Sequence, residues 1–270
     1  MVYSKILLFI PMYNCEKQIV RVLEQVDKRA QELISEVIIV NNRSTDNGEA
    51  AVLDYIANHE FSIPVHLFRN DENYSLGGSH KVAFNYAIEH SFEYVIVLHG
   101  DDQGSLVDIL PYIERGKILN YDSFLGSRFE RNSSLVGYDK FRIFGNMCFN
   151  IGLTCLTQHY ISDLGSGLNL YKVSYLENKF YLNFPNSLTF NVYMLFYGIY
   201  SKSKFRFFPL EWREEDQVSN AKFFKQSMEI LKLSIAYLKD KDRLFNGAEN
   251  EYSRINYTYK EIKEKDLENV

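Results

Sequence analysis

Cysteine is scarce in this 270-residue sequence: Cys15, Cys148 and Cys155 form neither a CxxC pair nor any other metal-ligand spacing. So sparse and odd a set excludes a disulfide framework and fits a reducing compartment. All three read as buried small hydrophobes. No apolar run approaches the roughly 18 residues needed to span a bilayer; the nearest, Phe190 to Tyr200, is interrupted by Asn191. The opening MVYSKILLFIPMYN lacks a small-residue cleavage site and reads as a first strand, not a signal peptide. Basic residues are outnumbered, with a formal charge of −5, which argues against a nucleic-acid partner. Repeats and low-complexity tracts are also missing. These absences leave a cytoplasmic protein, soluble or peripheral at the inner face of a membrane.

What is present suffices for a large core. Hydrophobic residues make up 46% of the chain and aromatics 15%, with 20 Tyr and 20 Phe, many of them after residue 120. The first half alternates strand and helix signals: apolar runs Ile6–Pro11, Val37–Val40, Pro64–Phe68 and Tyr94–Leu98, with helical patterns near 16–33, 46–57 and 79–90. This alternation predicts βαβ units and a mainly parallel sheet. Gly77-Gly78 predict a turn into the third helix. Beyond Gly100 come helices near 106–118, 141–156 and 186–200, a strand at 123–127, a turn and strand within 161–173, and an edge strand at 205–210. Phe224, Met228, Leu231, Ile235 and Leu238 share one helical face, flanked by Lys222, Lys225, Lys232 and Lys239. That stripe is expected to pack on the core rather than on a membrane. Residues 241–270 read as a charged, mobile tail.

In parallel α/β sheets, ligands bind beyond the carboxyl ends of the strands. Polar clusters stand there after three of the runs: Pro11-Met12-Tyr13-Asn14-Cys15-Glu16, Asn41-Asn42-Arg43-Ser44-Thr45-Asp46 and His99-Gly100-Asp101-Asp102-Gln103. Carboxylates and an amide oxygen suit Mg²⁺ or Mn²⁺, and imidazole is tolerated by Mn²⁺. A solvated turn with an acidic helix cap is the other reading of the last cluster.

Pro11-Met12-Tyr13-Asn14 followed by Glu16 resembles the opening of glycosyltransferase family 2, the inverting GT-A enzymes. Val40 to Asp46 is similar to that family's second-strand nucleotide motif, and His99-Gly100-Asp101-Asp102-Gln103 to its Asp-x-Asp motif. Gly126-Ser127-Arg128 and Asp163-Leu164-Gly165-Ser166-Gly167 resemble later motifs of the dolichyl-phosphate mannosyltransferase-like branch. The resemblance spans about residues 5 to 235. It implies that Pro11, Tyr13 and Glu16 line the nucleotide pocket, that Asn42 sits at a base-contacting position, and that His99, Asp101 and Gln103 are metal ligands. Asn41 and Asn42 replace two acids and His99 replaces the first metal-site Asp, with Asp102 placed to compensate. Arg128, Arg142 and Arg213 are candidates to hold phosphate through a bidentate guanidinium, or else to form surface salt bridges. His80 and Lys81 are weaker candidates near the donor phosphates. Asp163 is the candidate base for a hydroxyl acceptor, or a structural residue bonding the Gly165–Gly167 turn; a phosphate acceptor is already anionic and needs no strong base.

The expectation is an α/β protein with a GT-A (Rossmann-like), mostly parallel sheet flanked by helices, a single domain with a C-terminal helical extension. Residues 1–240 form the glycosyltransferase domain, with a nucleotide-sugar half at 1–103 and an acceptor half at 104–240. The reaction implied is inverting hexosyl transfer from a UDP- or GDP-sugar with Mn²⁺ or Mg²⁺, Asp101 and Asp163 being the catalytic pair. The preferred acceptor is a polyprenyl phosphate at a membrane surface, and the alternative is a saccharide in surface polysaccharide or glycan assembly. A non-catalytic relative is the rival that His99, Asn41 and Asn42 keep open. A sugar nucleotidyltransferase would need a Gly-rich basic loop after the first strand, and Met12 to Glu16 holds no glycine.

Overall fold

A computed structural model describes residues 4–214, 216, 223–246 and 251–263. The first half is a run of βαβ units: β1 (Ile6–Met12), α1 (Glu16–Glu24), α2 (Lys28–Leu33), β2 (Glu36–Asn41), α3 (Gly48–Asn58), β3 (Val65–Asn70), α4 (Ser75–Glu89) and β4 (Tyr94–Leu98). The second half holds α5 (Leu110–Glu114), β5 (Ser123–Ser127), β6 (Ser134–Val136), α6 (Lys140–Thr157), β7 (Leu168–Lys172) and α7 (Val173–Leu176). It continues with α8 (Phe190–Tyr200), β8 (Phe205–Pro209), β9 (Glu211–Arg213), α9 (Phe223–Asn246) and β10 (Tyr259–Glu261).

Among the described residues, eight strands form one sheet in the order β10-β3-β2-β1-β4-β7-β5-β8, and β6 pairs with β9 in a second. β1, β2, β3 and β4 pair in parallel, while β7 runs antiparallel to both β4 and β5. β1 and β4 are buried along their whole length, as strands covered on both faces must be. Alternation along β1 feeds two cores. Leu7 and Phe9 face α4 and α8 on one side, and Ile6, Leu8 and Ile10 face α1 and α3 on the other. The expected mixed, mostly parallel α/β sheet is therefore present.

Several local expectations change. The helical pattern at 16–33 is two helices, because Asp27 caps α2 through the Ala30 N–H (2.8 Å). Gly77 and Gly78 lie inside α4, where a Cβ at Gly77 would stand 2.8 Å from the Pro185 carbonyl. They are there for close packing, not for a turn. The 106–118 segment is broken into short pieces around α5. The charged tail is not all tail. β10 pairs antiparallel with β3, and Tyr257 and Ile262 are buried. Few aliphatics are needed there because the edge of β3 supplies the hydrogen bonds. Cys15 is buried as expected, whereas Cys148 and Cys155 are exposed on α6.

The α9 stripe also departs from expectation. Ile230 and Leu233 face the core, while Met228, Leu231, Ile235 and Leu238 are exposed. Lys222 and the side chains of Phe224 and Lys225 lie outside the described residues. The helix has apolar residues on both sides, so periodicity alone does not select the buried one.

Candidate active site

The polar clusters after β1, β2 and β4 meet on one rim, tied by reciprocal bonds. The Asn14 N–H donates to Ser44 Oγ (3.0 Å), and Asn14 Oδ1 accepts from the Thr45 N–H (2.8 Å). The Glu16 N–H donates to Asp46 (2.8 Å), and Glu16 accepts from the Asn47 N–H (3.1 Å). Gly100 lets the β4 end approach: its N–H donates to the Pro11 carbonyl (3.1 Å), and a Cβ there would stand 2.9 Å from that oxygen. Asn14, Arg43 and Asp102 adopt left-handed φ values of 50, 64 and 57°. Asn and Asp tolerate that region, but Arg43 is a strained residue of the kind that collects at functional sites. Pro11 is buried beneath the rim and Tyr13 stands 44% exposed on it.

The two asparagines are structural in this geometry. Asn41 Oδ1 accepts from the Ser44 N–H (2.9 Å), and its amide donates to Glu49. Burial opposes the Glu49 charge, yet Arg69 and Asn41 hold its carboxyl below the usual range. Asn42 Oδ1 accepts from Asn70 (3.0 Å) and from the Tyr74 N–H (2.8 Å), and its Nδ2 donates to Asn73 (2.8 Å). Asn42 is buried, so the base-contacting position implied by the resemblance is largely spent on internal bonds. The end of β3 is thus a fourth contributor to the rim. Its signal in the sequence is the polar run Arg69-Asn70-Asp71-Glu72-Asn73 after an apolar strand.

Asp101 is a strongly perturbed acid on this rim. Burial, with Asp102 and Glu214 close by, pushes its carboxyl up to about 6. The Gln103 N–H reaches Asp101 Oδ1 (3.3 Å), and the Gln103 amide lies 3.5 Å from Glu214. Asp102 faces away: its carboxylate binds Arg21 Nε (2.6 Å) and Gln25 (3.1 Å), so it does not compensate for the missing acid. His99 Nε2 is buried without a hydrogen-bond partner, and its ring lies against Gly167 and 6.0 Å from His80. Burial holds His99 down at about 4. Among the described residues, no group of three His, Cys, Asp or Glu side chains is placed to hold a metal by itself. Asp101 with Gln103 nevertheless fits a hard divalent ion whose remaining ligands are phosphate oxygens and water, the usual arrangement for Mg²⁺-type sites.

Ion pairs dominate the second half of the chain. Arg128 grips Asp163 with Nε (2.8 Å), Nη2 (2.7 Å) and its backbone N–H (3.0 Å), while the Gly165 N–H takes Asp163 Oδ1 (3.2 Å). Arg128 also stacks over Trp212 (5.0 Å) and bonds the Tyr138 hydroxyl (3.1 Å). Burial opposes its charge, and Asp163 restores it above the ordinary value. With every nearby donor on its two oxygens, Asp163 has the geometry of a positioning residue, not of a base. Arg142, at the start of α6, pairs with Glu214 (2.7 and 3.0 Å), and Arg213 pairs with Glu211 (2.6 Å). Arg21 reaches Asp216 as well (3.0 Å), so the segment after β9 is bolted to α1 and α6. Glu215 and Gln217 to Asn220 lie outside the described residues.

His80 and Lys81 are far from this rim in role. His80 is wholly buried among Phe9, Phe84 and Phe190. Lys81 donates to the carbonyls of Leu182 and Phe184, to Asn186 and to the Tyr257 hydroxyl. Burial without a counter-charge pushes its amine down to about 7.

A mixed sheet with its polar loops on one rim, an acid after the fourth strand and arginines paired with carboxylates in the second half fit the class of GT-A glycosyltransferases. Residues 8–180 match the family model for glycosyl transferase family 2, and the chain belongs to that family. Solved structures agree on the fold. Glucosyl-3-phosphoglycerate synthase from Mycobacterium tuberculosis in complex with uridine diphosphate superposes with a TM-score of 0.62 at 12% identity, covering 87% of this chain and 80% of that one. The same enzyme with Mn²⁺, UDP-glucose and glycerol 3-phosphate gives 0.59 at 12% identity, over 87% and 80%. With Mn²⁺, UDP and phosphoglyceric acid it gives 0.60 at 12% identity, over 96% and 87%. No curated protein matches the chain. None of these comparisons singles out the dolichyl-phosphate branch within the family.

Proposed function

We propose that the chain transfers a sugar, with inversion, from a UDP-sugar to the phosphate of a polyprenyl acceptor. The reading of the donor side rests on Asp101, a carboxylate raised to about 6 by burial beside Asp102 and Glu214. Such a group gains most from a divalent cation, Mn²⁺ first, with Gln103 beside it. When bound, that ion neutralises charge on the departing diphosphate. Mn²⁺ and UDP-glucose accompany the similar fold named above, which supports UDP as the first nucleotide to try. Tyr13, Glu16 and the loop at 41–46 form the surface against which the nucleotide is set.

The acceptor reading rests on the Arg128–Asp163 pair. A hydroxyl acceptor needs a carboxylate to take its proton during attack. Asp163 is spent on Arg128 and the Gly165 N–H, so an acceptor that arrives anionic suits the site better than a saccharide. Arg142 now holds Glu214, and a phosphate would take the carboxylate's place on the same guanidinium. A polyprenyl tail would then leave along α6, which carries no charged residue after Arg142. Calorimetry with UDP- and GDP-sugars, with Mn²⁺ and with EDTA, tests the donor. Transfer of label to a short polyprenyl phosphate, against an oligosaccharide, tests the acceptor. Metal-independent binding, or transfer to the saccharide alone, would overturn the corresponding half of the proposal.

A further inference from the structure

Two helices turn apolar faces outward. On α6, Phe141, Phe144, Met147 and Ile151 are 79, 66, 46 and 62% exposed, interleaved with the exposed Cys148 and Cys155. On α9, Met228, Leu231, Ile235 and Leu238 are 39, 48, 44 and 65% exposed. The helices pack against each other, and the opposite sides of both, through Leu153, Ile230 and Leu233, enter the same core. A helix face turned to water is normally charged. Contiguous exposed apolar surface of this kind marks an interaction site.

Charge selects the occupant. Exposed cations flank the patch at Lys140, Lys232 and Lys239. The acids nearby are engaged in hydrogen bonds: exposed Asp139, beside Lys140, accepts from the Arg142 N–H (2.9 Å). Glu229 turns inward to Ser187 and Thr189, and Asp240 and Asp242 come only at the break that ends the straight part of α9. Asp240 caps the Arg243 N–H and Asp242 accepts from the Tyr200 hydroxyl. A second copy meeting this face across a two-fold axis would bring lysines toward lysines. An anionic lipid surface would attract them. Apolar residues flanked by lysine are the pattern of a helix lying in a membrane interface. We infer that the outward faces of α6 and α9 dock the enzyme flat on an anionic phospholipid leaflet. Docking there presents the start of α6, with Arg142, to the depth of lipid headgroups. This purpose rests on the polyprenyl-phosphate reading, but the surface itself does not.

The test uses the full chain with vesicles of phosphatidylcholine, with and without phosphatidylglycerol, free of donor and acceptor. The wild type should co-sediment with the anionic vesicles, and an environment-sensitive dye on Cys148, in a Cys155→Ser background, should shift to the blue. Phe144→Asp/Ile151→Asp should abolish both signals with an unchanged melting curve. Lys232→Glu/Lys239→Glu, which keeps the apolar face, should weaken binding to anionic vesicles at least about thirtyfold. Wild-type protein left in the supernatant, or variants that bind as well as wild type, would overturn the inference. So would a dimer in sedimentation equilibrium that Phe144→Asp/Ile151→Asp dissociates, since a second copy would then cover the face. Transfer of label to a short polyprenyl phosphate is measured on the wild type in parallel. Its absence with vesicle binding intact counts against the acceptor reading and leaves the surface standing, whereas transfer without vesicle binding overturns the surface and leaves the acceptor reading standing.

Discussion

The two halves of the site are held together by different forces. On the donor side, the loops after β1 and β2 are joined by neutral or singly charged hydrogen bonds from backbone N–H groups to Asn14, Asp46 and Glu16. Asp101 is the acid left perturbed. On the acceptor side, cations and carboxylates are matched: Arg128 with Asp163, Arg142 with Glu214, Arg213 with Glu211. A prebuilt rim can receive a nucleotide without rearrangement, whereas ion pairs can exchange one anion for another. On the proposed reading, rigidity belongs to the donor side and exchange to the acceptor side.

The sharpest way to break this contrast is Asp101→Ala. It should lower kcat/KM by about 10³-fold, as loss of a group stabilising the leaving charge does, and it should remove Mn²⁺-dependent UDP binding in calorimetry. Next comes the buried pair. Arg128→Ala should cost about 3 kcal/mol in denaturant unfolding because it strands Asp163 without its partner. Asp163→Asn separates the two roles of that residue. A drop in Tm with activity per folded molecule retained marks a positioning residue, and lost activity at unchanged Tm restores it as the base.

The junction between the halves gives a smaller effect. Lys81 joins α4 to the 182–186 segment and to Tyr257. Its folded amine, pushed down to about 7, sits below the ordinary lysine value of 10.5, so the unfolded chain binds more protons between these values. Stability should therefore rise as pH increases from about 7 toward 9. Lys81→Met should flatten that slope and, by leaving buried acceptors unpaired, cost about 2 kcal/mol at neutral pH. Smallest is Glu214→Gln, which frees a half-exposed Arg142. It should change stability by less than about 1 kcal/mol while lowering the KM for a phosphate acceptor. A raised KM instead would mean that Glu214 assists rather than occupies the phosphate position.

The order of strands and the rim were legible in the sequence because each buried strand of the first half is a continuous apolar run ending in a polar cluster. Asp101 was legible for the same reason. The partners were not. Arg128 meets Asp163 across 35 residues and Arg142 meets Glu214 across 72, and nothing local encodes those pairings. The roles of Asn42, His99 and Asp102 turned on side-chain direction, which a motif does not carry. On α9 both faces are apolar, so periodicity found the helix and chose the wrong side to bury. On β10 the stabilising bonds belong to the strand it joins, so its own composition read as tail.

β10 has a consequence for the order in which the protein is made. It closes the sheet beside β3, and Thr258 meets Tyr74 across 184 residues of chain. During synthesis β3 leaves the ribosome long before its outer neighbour exists. For that interval the first half carries an open edge with unpaired backbone groups, a template for association with other nascent chains. Of the described strands, the last to emerge is therefore the one that makes the first half safe.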